Sequence, residues 1–241
     1  MNAIAENTPK KILVLQTRTN HTEAHEQECL TEAYKNLNVQ FIYKNTVHDD
    51  LTLDILIGID AVIIGGSGQY YFSQDNEWKP KMDHFIHHTI EKGIPILGIC
   101  FGFQAIALQQ GAKVTKDESM RESGVFEMTL LNRATEDPLY IGLPQSFPVP
   151  LAHKETIIDF PDHLEILSKS ERVACQSFRI RDKEVWGVLY HPEMTKQRMQ
   201  ERFDMSPEYS EETQDISKYL KDTPEANEVL TRFIKRVIGK K

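Results

Sequence analysis

Between Lys10 and Gly111 the chain alternates short, nearly continuous apolar runs with longer stretches of helical period, and this alternation limits the available folds most. "KKILVLQTR" (10–18), "VQFIYKN" (39–45), "DAVIIGGSGQ" (60–69) and "IPILGIC" (94–100) have the length and content of buried strands. "EAHEQECLTEAYKNL" (23–37) repeats Cys29, Leu30, Ala33, Tyr34 and Leu37 at three and four. "KPKMDHFIHHTIEKG" (79–93) has Pro80 in its first turn and Gly93 as a stop, and "FGFQAIALQQG" (101–111) follows the fourth strand directly. Strands without an inside/outside alternation are buried on both faces, which is the mark of a parallel sheet between helical layers.

Beyond Gly111 the texture changes. "VFEMTLL" (125–131), "RVACQSFRI" (172–180) and "VWGVLY" (185–190) are strand candidates joined by turns, so antiparallel strands are expected there. From Thr195 the chain is charged and helical, and Val229, Leu230, Phe233, Ile234 and Val237 form the apolar stripe of a docking helix. The expected fold is α/β: a flavodoxin-like open sheet, mostly parallel, covered by helices on both faces, with an antiparallel portion in the second half. With 241 residues and no evident linker, one domain is expected over 1–241, with a core at about 10–195 and a helical extension at 195–241.

Two strand ends carry glycine: Gly65-Gly66-Ser67-Gly68, and Gly98 to Gly102 around Cys100. In open α/β sheets ligands gather at the carboxyl ends of the strands. A sharp strand-to-helix turn with glycines two residues either side lifts a nucleophile out of the backbone, and the following helix turns free N–H groups toward the sulfur. A cysteine there is equally well a small buried hydrophobe. A base decides between the two. His191 in "GVLYHPEM" (187–194) follows an apolar strand, Pro192 ends that strand, and Glu193 stands two residues on. Cys100, His191 and Glu193 have the chemistry of a nucleophile, a base and an orienting carboxylate.

Together, G-I-C-x-G-x-Q at 98–104, H-P-E at 191–193 and a Gly-Gly strand end about 35 residues before the cysteine resemble the class I glutamine amidotransferases, and in detail their stand-alone, GMP-synthase-like members. The likeness runs over about residues 10–195. It implies a γ-glutamyl thioester on Cys100, with His191 as base and acid and Glu193 orienting it. It implies an oxyanion hole from the N–H groups of Gly66 and Phe101, and substrate contacts at Gly68, Gln104 and the loop "AHKET" (152–156), which includes Lys154 and Glu155. Phe103, Ser67, Leu189, Lys154 and Glu155 depart from the family pattern. The charged loop leaves open a γ-glutamyl substrate larger than glutamine.

Three functions are therefore carried: a glutaminase or amidotransferase, a γ-glutamyl peptidase with the same triad, and a non-enzymatic regulatory protein on this fold. The stretch after Glu193 is short for a synthetase domain, so an ammonia acceptor is expected on a separate subunit. The net charge of −8 and the lack of a basic block argue against nucleic-acid binding. Three scattered cysteines do not suggest disulfides. The beginning lacks the apolar core of a signal peptide, and no run approaches the roughly 18 apolar residues of a membrane span. A cytoplasmic protein without membrane contact is expected. His84, His87 and His88, like His21 and His25, have helical spacing, but a metal site needs further ligands. No metal or cofactor is expected. His153 is a candidate for ordering the substrate loop, Cys175 for the core.

Overall fold

The computed structural model describes residues 8–205 and 220–240. In chain order they form β1 (Lys10–Gln16), α1 (Thr22–Tyr34), β2 (Val39–Asn45), β3 (Ala61–Ile64), α2 (Lys79–Glu91), β4 (Ile96–Ile99) and α3 (Phe101–Gln109). The second half adds β5 (Lys113–Thr115), β6 (Glu122–Leu130), β7 (Ser146–His153), β8 (Thr156–Ile158), β9 (Leu164–Lys169), β10 (Ser177–Ile180), β11 (Val185–Val188), α4 (Lys196–Met205) and α5 (Pro224–Gly239).

Nine strands make one sheet in the order β2-β1-β3-β4-β11-β10-β9-β6-β7, and β5 and β8 pair separately. The first five are parallel to their neighbours, and β11 through β7 are antiparallel. The parallel half has the 2-1-3-4-5 arrangement of flavodoxin-like sheets. Every residue of β3, β4 and β11 is buried, as are Ile12–Gln16 of β1. Successive strand residues point to opposite faces, so continuous burial means that both faces are covered. α2 packs on α3, while α1 contacts α4 and reaches α5 through Tyr34 Oη and Thr231 Oγ1. α5 buries its stripe as expected, with Phe233 edge-on to Trp186 of β11. Of the extension expected over 195–241, residues 206–219 and 241 lie outside the described residues.

The antiparallel half differs in detail from the strands read in the sequence. β10 starts at Ser177 rather than 172, because a turn over 170–173 takes up the hydrogen bonds: Ser170 N–H donates to Val173 C=O, and Val173 N–H to Ser170 Oγ. β7 carries Pro148 and Pro150, which cannot donate to a ladder and are tolerated because β7 ends the sheet.

Candidate active site

Four neighbouring strands, β1, β3, β4 and β11, run parallel and end together. Arg18, Gly66, Cys100 and His191 follow those four ends, so parallel pairing brings all four to one edge of the sheet.

Cys100 is the hinge between β4 and α3 and has φ 50°, ψ −98°. A non-glycine residue with positive φ is strained by about 1–3 kcal/mol, and the surroundings must hold it. They do so through Cys100 N–H, which donates to Val188 C=O of β11 at 2.8 Å. The flanking glycines let strand and helix approach: a Cβ on Gly102 would lie 2.2 Å from Ile64 O, and one on Gly98 2.5 Å from the Gly102 backbone. Phe101 N–H opens α3 and, by position, has no intrahelical acceptor.

His191 is buried, its Nδ1 is 2.8 Å from Glu193 Oε1, and its ring and Cys100 both flank Gly66. Nδ1 is thus engaged by the carboxylate, and Nε2 is the nitrogen left for sulfur. Burial alone would lower the imidazole pKa, but the Glu193 carboxylate and Cys100 more than offset this and push it up to about 9. Burial would raise Glu193; the facing His191 holds its carboxyl below the usual range instead. The turn carrying both groups is fastened from outside. His191 N–H donates to Pro150 C=O of β7, and Asn227 Nδ2 of α5 donates to Pro192 C=O at 2.8 Å and Met194 C=O at 2.9 Å.

The remaining expected site residues are near but partly committed elsewhere. Gly66 lies beside the pair, since a Cβ there would be 3.0 Å from His191 Cε1 and 3.7 Å from Cys100 Cβ. Its N–H, expected to face an oxyanion, donates instead to the buried Glu26 carboxylate at 3.1 Å. Glu26 also accepts from Gln16 Nε2 and Arg18 Nε and is the strongest acceptor within reach of that peptide. A small cavity is lined by Ser67, Cys100, Phe101, Gln104, Lys154 and Glu155, among others. Gly68 lies instead on a neighbouring crevice shared with His191. Gln104 Nε2 donates to Glu155 C=O at 2.7 Å, which ties α3 to the 152–156 loop. The Glu155 carboxylate accepts from Phe72 N–H, Ser73 N–H and Ser73 Oγ and so pins the 72–73 backbone, while the residue also lines the cavity. His153 orders the same loop by pairing with Glu122 at 3.1 Å.

Sequence reasoning missed Arg18, Glu26, Arg202 and Asn227. Arg18 and Glu26 form a buried ion pair at 3.2 Å. Arg18 does follow a strand end, the one positional signal available, but no glycine marks it. A second thiol also lies near a histidine: Cys29 Sγ is 3.8 Å from His25 Nδ1, and burial pushes that thiol up to about 12, away from the thiolate form. Cys175 is buried, as expected. Phe103 and Leu189 are core residues. Among the described residues no group of three His, Cys, Asp or Glu is placed to hold a metal ion, and no helix is long and apolar enough to cross a membrane.

Residues 20–204 match the family model for glutamine amidotransferase class-I. The GMP synthase (glutamine-hydrolyzing) of Porphyromonas gingivalis strain ATCC 33277 is 34% identical over 139 residues, covering 58% of this chain and 26% of that protein. That of Aquifex aeolicus is 31% identical over 159 residues, covering 64% and 29%. The chain spans about a quarter of the length of these curated relatives. A glutamine amidotransferase from Thermotoga maritima has a similar structure, with a TM-score of 0.79 at 19% identity, covering 96% of this chain and 99% of that one. A glutamine amido transferase from Methylobacillus flagellatus gives 0.71 at 20% identity, covering 95% and 94%. At such identities the likeness concerns the fold.

Proposed function

Since the chain belongs to the class I glutamine amidotransferase family, we propose that it hydrolyses a γ-glutamyl amide through a thioester on Cys100. The observation that carries this reading is the convergence of a strained cysteine, an imidazole and a carboxylate at adjoining strand ends.

His191 Nε2 takes the Cys100 proton, and the sulfur bonds to the side-chain amide carbon of glutamine. The carbonyl electrons move to oxygen, which Phe101 N–H stabilises. As that oxyanion collapses, the C–N bond breaks and the imidazolium gives its proton to the departing nitrogen. Water then loses a proton to His191 and attacks the thioester carbon, the C–S bond breaks, and sulfur recovers a proton. Glutamine and water become glutamate and ammonia. Glu193 holds the imidazole tautomer throughout and offsets its positive charge. Gly66 N–H joins the oxyanion hole only if it leaves Glu26. Gln104 and Lys154 bound the space for the glutamyl part, and Gly68 lines the crevice next to it.

For ammonia as product, an acceptor on a separate synthetase subunit completes the reaction; the GMP synthase relatives are named as glutamine-hydrolyzing, and this chain covers about a quarter of them. The γ-glutamyl peptidase reading uses identical steps with an amine as the leaving group. A buried arginine beside His191 favours it. A panel of glutamine, γ-glutamyl dipeptides and glutathione, followed for free ammonia and free glutamate, tests both. Hydrolysis that disappears in Cys100→Ala is the expected result. No glutamate from any of them would end the proposal.

A further inference from the structure

A crevice beside His191 runs past Gly68 to Arg18 and Arg202 and is walled by Met199 and Phe203 of α4. It is separate from the cavity that holds Cys100 and Gln104, although Ser67 and Ala152 line both. Its chemistry is unusual for a space this deep. Arg202 is 8% exposed, and among the described residues no carboxylate lies within ion-pair distance of it. Its Nε and Nη2 both point at one atom, His25 Nδ1, at 3.1 and 2.8 Å. Burial first, and Arg202 next, hold His25 below its ordinary pKa, so it meets the guanidinium as a neutral acceptor. The two nearest buried carboxylates are spoken for: Glu26 by Arg18, Gln16 and Gly66, and Glu193 by His191.

Burial lowers the Arg202 pKa to about 10, with Arg18 the next cause, so the group stays cationic at neutral pH. Among the described residues Glu26 and Glu193 attract it only from beyond ion-pair distance, and a cation kept from water without a close counter-ion costs several kcal/mol. A bound anion would offset that cost, and the apolar walls would leave their attraction poorly screened. Ammonia would find nothing to recognise here.

Which end of a substrate enters follows from proton transfer. The imidazolium must deliver its proton to the leaving nitrogen, so the leaving group departs on the His191 side. The glutamyl part then occupies the cavity with Cys100 and Gln104. The crevice measures about 30 Å³, and one water needs roughly 10–15 Å³ by the same measure. That leaves room for a carboxylate beside the guanidinium.

We infer that this crevice is a leaving-group subsite for a small amine bearing a carboxylate, held by Arg202, so that γ-glutamyl amides of small amino acids are the preferred substrates. The inference rests on the thioester reading above. The reaction is γ-glutamyl-amino acid plus water giving glutamate and the free amino acid, by the same bond changes.

The test is kcat/KM of the full chain for γ-glutamylglycine, γ-glutamylglycinamide and γ-glutamylmethylamide, in wild type, Arg202→Gln and Arg202→Lys. The acid should exceed its amide by roughly 10-fold or more, the range of a charge-assisted hydrogen bond. That ratio should fall to within about twofold of one in Arg202→Gln and recover in part in Arg202→Lys. A wild-type ratio near one would overturn the subsite, and this holds even where a variant fails to fold. A ratio preserved in Arg202→Gln, with all three substrates weakened alike, would also overturn it. Turnover of the methylamide with no preference for the acid sinks the subsite alone. No turnover of any of the three, with Cys100 unreactive to a glutamine-like electrophile, sinks the thioester reading and the subsite together.

Discussion

The nucleophile and its base are held in two different ways. Cys100 is fixed almost locally: a four-residue strand, a residue at φ 50° and a helix follow one another, and Gly98 and Gly102 permit the contact. His191 and Glu193 sit on an irregular turn whose fastenings come from Pro150, 41 positions earlier, and Asn227, 36 positions later. The first arrangement belongs to the parallel half of the sheet, while the second needs the antiparallel half and the last helix. The contrast shows why this site needs more chain than the parallel core. The parallel strands bring sulfur and imidazole to one edge, but the turn that aims the imidazole is held by the rest of the molecule.

The largest effect should come from the base itself. His191→Gln should lower kcat by about 10²–10⁴-fold, the range for general acid–base catalysis, with the fold intact by circular dichroism. On the other side of the comparison, Gly102→Ala forces a methyl to 2.2 Å from Ile64 O. Because backbone rather than a movable side chain is met, stability should fall by about 3 kcal/mol or more, and activity with it. A variant of Gly102 with unchanged melting temperature and activity would break the claim that the elbow is locally constrained.

Asn227→Ala sharpens the contrast, for it touches neither sulfur nor imidazole. Losing two hydrogen bonds should cost about 1–2 kcal/mol in urea unfolding. Freeing the turn should also reduce kcat/KM by about 10-fold or more through misplacement of His191. Equal activity in this variant would mean that the turn needs no outside fastening.

The smallest effect expected is the difference in pH profile between wild type and Cys100→Ala. His191 is raised from its ordinary 6.5 to about 9, so its contribution to stability is complete below about 6.5 and is lost as pH rises through about 9. Glu193 is held below its ordinary 4.5, so its contribution is present above that value and is lost as pH falls through the lower one. The urea midpoint should therefore decline from pH 7 to 9.5. Because Cys100 is one cause of the raised imidazole, the decline should begin at lower pH in Cys100→Ala. Identical profiles in both proteins would show the sulfur and imidazole to be uncoupled.

Much of this was legible in the sequence. β1, β3 and β4 were read because burial on both faces leaves uninterrupted apolar runs, and the elbow because glycine spacing is a steric requirement that appears in the chain itself. β7 does not stand out in the sequence, because Pro148 and Pro150 interrupt it and proline fits a strand only at a sheet edge. Spacing located Gly66 at a strand end but could not orient its peptide, which turns on a carboxylate 40 residues earlier in the chain. Glu155 was read as a substrate ligand from its place in the loop; its carboxylate is occupied by the 72–73 backbone. Arg202 and Asn227 carry no local signature, since their meaning lies wholly in contacts between distant segments.

The decisive measurement is covalent trapping. The folded protein is incubated with a diazo-ketone analogue of glutamine and the adduct is mapped by mass spectrometry. Single modification at Cys100, absent in Cys100→Ala and strongly slowed in His191→Gln, is the predicted result. Folded protein that takes up no label, or takes it up at Cys29 or Cys175 instead, would contradict the account.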